Sequence, residues 1–79
     1  MALQTNGITV VSVDDATRRI RMYVGDVDVQ LWYTRETHAC MVVSRTSLTG
    51  RNPRPFIPRI QYRDMMRQAH AIASRRGWK

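Results

Sequence analysis

Gly25-Asp26 stands between two runs of alternating apolar and polar residues, and that arrangement leaves a 79-residue chain few folds to choose from. Arg18 to Val24 places Ile20, Met22 and Val24 on one side and Arg19, Arg21 and Tyr23 on the other. Val27 to Tyr33 sets Val27, Val29, Leu31 and Tyr33 against Asp28, Gln30 and Trp32. Period two marks half-buried strands, and Gly-X between two such runs is the signature of a type II′ hairpin turn. Pairing Val24 with Val27 brings Met22 opposite Val29 and Ile20 opposite Leu31. The other face then pairs Tyr23 with Asp28, Arg21 with Gln30 and Arg19 with Trp32. A slip of one residue would turn every apolar side chain outward, so turn chemistry and pattern specify the same register.

Strands are expected on both sides of this hairpin. Ile8 to Val13 is β-branched and ends at Asp14-Asp15, whose side chains favour turns by bonding to nearby backbone. A fourth strand, His38 to Ser44, follows the turn Thr34-Arg35-Glu36-Thr37. Its phase is open, because Val42 and Val43 are both apolar. A three-residue loop turns Ala39, Met41 and Val43 inward, whereas a four-residue loop turns Cys40 and Val42 inward; the larger buried area favours the first.

Residues 45–58 contain Pro53, Pro55 and Pro58 and read as a long irregular loop, since proline removes backbone donors and pushes its predecessor toward extended conformations. Loops above about 12 residues in a compact domain are usually functional or disordered. From Arg59 to Arg76 the period becomes helical. Tyr62, Met65, Met66, Ala69, Ile72 and Ala73 share one face, and Arg59, Arg63, Arg67, His70 and Ser74 form a stripe beside it. Pro58 suits the start, and Gly77 suits the left-handed position after the last turn with Trp78 folding back. Arg75 and Arg76 complement the negative helix end. The expectation is an α+β fold: a four-stranded antiparallel β-meander, a long basic loop and one C-terminal α-helix, in a single domain over residues 1–79.

A chain this short buries only about 60–65% of its unfolded surface, and such a core rarely supplies more than about 5 kcal/mol. Cys40 is the only cysteine, so no internal disulfide supports it, which fits a reducing compartment. Met1 to Asn6 lacks the basic start and following apolar stretch of an export signal. The longest apolar run, Ala39 to Val43, is far below the roughly 20 residues of a membrane helix. A cytoplasmic protein without a membrane partner is expected.

Charge is unevenly spread. Residues 1–44 carry four arginines against five acids, whereas residues 45–79 carry nine basic side chains against Asp64 alone. That half attracts phosphates or acidic protein surfaces over a Debye length of about 8–10 Å. Twelve of the thirteen basic residues are arginine. Guanidinium forks suit phosphate, carboxylate and aromatic faces, although codon usage in a GC-rich genome produces the same bias. Arg45, Arg51 and Arg54 in the loop, with Arg59, Arg63 and Arg67 on the helix, form the leading partner-binding candidates. Arginines four residues apart repel by a few tenths of a kcal/mol per pair when no carboxylate intervenes, and an acidic partner relieves that repulsion. A solvated helix face is the plainer reading.

The outward hairpin face, with Arg19, Arg21, Tyr23, Gln30 and Trp32, is the secondary candidate, because sheet aromatics stack bases and arginines anchor phosphates. The plainer readings are a solvent-facing set in which Arg19 covers Trp32, or a face covered by the helix.

Enzymatic chemistry finds little footing. The four glycines are scattered singly, so no phosphate-cradling loop exists. His38 and Cys40, two apart on a strand, would need His70 or distant carboxylates to complete a metal site. Asp26, Asp28 and Glu36 read as turn and hairpin-tip residues rather than a metal-dependent nuclease. A small ribonuclease would pass protons through His38 or His70, but two isolated histidines are not the paired, perturbed groups that catalysis requires. No enzyme, cofactor or metal is expected.

As a whole, this compact basic α+β unit without a catalytic constellation resembles the small phage-encoded inhibitors known as anti-CRISPR proteins. Those proteins share no motif, so no residue role carries over. The resemblance implies stoichiometric binding to a nucleoprotein complex of a bacterial host, covering a surface where that complex holds nucleic acid. Direct nucleic-acid binding is the alternative, and a ribonuclease toxin stands behind both.

Overall fold

The computed structural model describes residues 7–51 and 55–78. Strands β1 (Ile8–Asp14), β2 (Arg19–Val24), β3 (Val27–Thr34) and β4 (Ala39–Ser47) form one antiparallel sheet in the order β1-β2-β3-β4, followed by helix α1 (Arg59–Arg75). This is the expected α+β arrangement. The central hairpin has all six expected pairs, from Val24 opposite Val27 to Arg19 opposite Trp32. Gly25 takes φ +61°, while Asp26 is not among the residues with positive φ, as a type II′ turn requires.

The fourth strand departs from the expected phase. Arg35 to His38 form a four-residue loop that pairs Thr34 with Ala39, so Cys40 lies opposite Tyr33 and Val42 opposite Leu31 on the core side. Met41 and Val43 are instead 50% and 45% exposed. Loop geometry outweighs the area that the other phase would bury: His38 closes the loop with φ 53°, as Arg18 closes the equally long β1–β2 loop with φ 57°. His38 therefore lies in the loop and does not share a strand face with Cys40. A bulge at Val43 then shifts the register, so that Ser44 pairs with Gln30 and Arg45 with Val29.

β4 also runs to Ser47, so Arg45 to Ser47 belong to a strand and not to the loop. Their partners are Val29, Asp28 and Val27, and no proline interrupts them before position 53. β1 carries a bulge of its own between Val10 and Ser12.

The apolar face of β1–β4 meets the helix over a core containing Ile20, Met22, Val29, Leu31, Tyr33, Met65 and Ala69. On α1 the buried residues are Asp64, Met65, Ala69, Ile72 and Ala73, with Met66 part-buried. Tyr62, expected inside, stays exposed, which leaves its amphipathic ring end in water at the helix's first turn.

The C-terminal end of α1 is tied to the sheet. Trp78 N–H donates to the Ala73 carbonyl (2.9 Å) and Gly77 N–H to that of Ser74 (3.2 Å), with Gly77 at φ +72°. This is the Schellman arrangement. It folds Trp78 back onto Tyr33, ring centroids 6.1 Å apart. Asp15 in the β1–β2 loop accepts from Trp78 Nε1 (3.0 Å) and from Arg76 (2.6 Å), and Arg18 donates to the Trp78 carbonyl (3.4 Å).

Candidate binding surface

One side of α1 faces the core, and this orients the other. Successive helical residues turn by about 100°, so Arg59, Arg63 and Arg67 span about 80° of arc, opposite the side that buries Met65 and Ile72. All three are exposed. Arg63 Nε lies 3.9 Å from Asp64 Oδ1, a long approach to a carboxylate on the buried side. Neither Arg59 nor Arg67 has an ion pair among the described residues.

The chain's other acids are engaged or remote. Asp14 accepts from the Ala16 and Thr17 backbone in its own turn, Asp15 holds Arg76 and Trp78, and Asp28 holds Arg21. The first turn of α1 contains no acidic residue, and Pro58 supplies no side-chain cap. The positive end of the helix thus adds its partial charge to that of the arginines.

Arg51 is exposed after β4. The Val43 bulge re-aims Arg45, whose pairing with Val29 puts it on the side of the sheet that the helix covers. Arg54 lies outside the described residues.

Two exposed apolar residues near this surface in the sequence carry no charge and escape a search for basic patterns. Phe56 and Ile60 are 77% and 61% exposed. Ile60 falls within about 20° of Arg67 around the helix axis, so the basic stripe has an apolar border. The available signal was the helical position of Ile60, which does not match the core face.

The secondary candidate face divides. Arg21 grips Asp28 with two hydrogen bonds, Nε to Oδ1 at 3.0 Å and Nη2 to Oδ2 at 2.7 Å, and its guanidinium lies 5.8 Å from the centre of the Tyr23 ring. The hydrogen bond with Asp28, then its charge, raises the Arg21 pKa further. The cation–π contact of this face is therefore Arg21 on Tyr23, not Arg19 on Trp32. Arg21 and Tyr23 are committed to each other, while Arg19 and Trp32 remain exposed. The helix packs on the opposite side of the sheet and leaves this face open.

Among the described residues, no cluster of three or more His, Cys, Asp or Glu is placed to hold a metal ion, and no helix is long and apolar enough to cross a membrane. Set against protein-family models, curated proteins and solved structures, the chain matches none of them.

Proposed function

We propose that this chain is a non-enzymatic cytoplasmic binding domain that sets its outer helix face, with Arg59, Arg63 and Arg67, against an acidic macromolecular surface; Arg45, Arg51 and Arg54 are further candidates by their charge alone. In the manner of the small phage inhibitors it resembles, that surface belongs to a host protein complex that handles nucleic acid. One observation carries the reading: three arginines share one exposed arc, and Asp64 at 3.9 Å from Arg63 is the sole acid paired with any of them among the described residues. Like charges at this spacing disfavour the free helix, and carboxylates or phosphates on a partner remove that penalty. The exposed Ile60 beside Arg67 favours a protein partner, because apolar anchors beside arginine are typical of protein interfaces.

Direct nucleic-acid binding is the second reading, favoured by the uncapped positive end of α1. The test replaces Arg59, Arg63 and Arg67 together with Glu. Capture from host lysate and gel shifts with generic DNA and RNA are then compared with wild type, alongside the melting temperature. Loss of capture by a folded variant supports the first reading, and loss of a gel shift supports the second. Undiminished binding in both assays by the folded variant would refute them.

A further inference from the structure

The open face of the sheet differs in kind from the helix face. Trp32 and Met41 are cross-strand partners there, 42% and 50% exposed, and Val43 follows at 45%. Together with Thr34 and the β3–β4 loop, Trp32 and Met41 line a shallow recess of about 400 Å³. Charges on this face cancel: Asp14, Asp28 and Glu36 stand against Arg19, Arg21 and Arg35, and Arg21 is already bonded to Asp28. The chain as a whole carries +7. Its positive field is therefore concentrated elsewhere, and a polyanion gains nothing in particular by lying here.

We infer that this face is the contact between two copies of the chain, meeting sheet to sheet with both arginine helices pointing outward. Three observations converge. Two molecules of +7 repel over about 8–10 Å at moderate salt, and they approach at least cost through a face of balanced charge that puts the helices farthest apart. Both edge strands are bulged, β1 at Val11 and β4 at Val43, which interrupts the ladder that edge-to-edge pairing would extend. The area also suffices for a weak specific dimer. Four strands about 4.8 Å apart and roughly 25 Å long present about 480 Å² in projection, and side-chain relief raises this toward the roughly 600 Å² per copy of a small specific interface. Arg35 and Glu36 adjoin on the rim of the recess, so a two-fold axis close to Trp32 lets each meet its opposite across the interface.

Sedimentation of the purified protein tests this without any other partner. From about 10 µM to about 1 mM, the mass should rise from 9.2 kDa toward twice that value. The association should strengthen as salt rises, because salt screens the repulsion between copies. Trp32→Ser and, independently, Met41→Ser should each weaken it at least about tenfold, while circular dichroism shows the fold retained. The second variant keeps the test valid if the first does not fold. A wild type that stays at the mass of one chain throughout, or a dimer that neither folded variant weakens, overturns the inference. So does a monomeric wild type whose Trp32 fluorescence is quenched by oligouridylate, which would make single-stranded nucleic acid the occupant.

Discussion

Replacing Trp78 with Ala removes the side chain that closes the helix end onto the sheet. Trp78 is buried, its ring packs against Tyr33, and its indole N–H donates to Asp15 at 3.0 Å. Truncating a buried Phe or Trp to Ala costs about 3–5 kcal/mol, against roughly 5 kcal/mol in total for a domain of this size. About 1 kcal/mol moves the melting temperature of a 60–100-residue domain by roughly 4–8 °C. Trp78→Ala should therefore melt roughly 15–30 °C lower or be largely unfolded at room temperature. Trp78→Phe separates the two contributions. It keeps a ring beside Tyr33 and gives up the bond to a solvent-exposed carboxylate, a loss of about 1 kcal/mol, together with the smaller packing loss of exchanging indole for phenyl. Thermal and urea unfolding followed by far-ultraviolet circular dichroism reads both variants. If Trp78→Ala melted within a few degrees of wild type, Trp78 would not be packed on Tyr33, and the closure of the helix end onto the sheet would be wrong.

Two further substitutions should raise stability. The Tyr33 hydroxyl is buried and has no hydrogen-bond partner among the described residues, so Tyr33→Phe removes a desolvated polar group and should gain about 1 kcal/mol in urea unfolding; a drop in stability would show that the hydroxyl is satisfied in solution. His38 closes its loop at φ 53°, a conformation costing a non-glycine residue about 1 kcal/mol. His38→Gly should raise the denaturation midpoint, and a lowered midpoint would mean that the histidine side chain itself packs favourably.

The hairpin was legible because two independent signals, the Gly25-Asp26 turn and the flanking alternation, had to agree, and one register satisfied both. The helix end was legible for the same reason: Gly77 and Trp78 occupy the positions that a Schellman ending assigns them. β4 was not, because Val42 and Val43 leave its pattern ambiguous. Its phase is set by a loop ending in left-handed His38, and its later register by a bulge that no residue type announces. Arg45 consequently moves from the loop into the strand.

At the surface, one-dimensional charge counting found Arg59, Arg63 and Arg67, since helical spacing alone brings them together. It could not find that Arg21 is bound to Asp28, because that pair lies diagonally across two strands, Asp28 being opposite Tyr23. Ile60 was passed over because it carries no charge and falls outside the core face.

The central claim, that the arginine face of α1 binds the partner, is tested most directly by the salt dependence of binding when Arg59, Arg63 and Arg67 are replaced together with Gln. Neutral replacements remove the charge without introducing repulsion, so the measured difference reports the missing attraction alone. The wild-type dissociation constant for the captured partner should rise steeply with salt. For a nucleic-acid partner, the log–log slope should flatten by about one unit for each phosphate that the variant no longer neutralises, roughly three in all. For a protein partner, the association rate should fall and lose most of its salt dependence. An affinity and a salt slope that match wild type, in a triple variant with an unchanged melting temperature, would contradict the account.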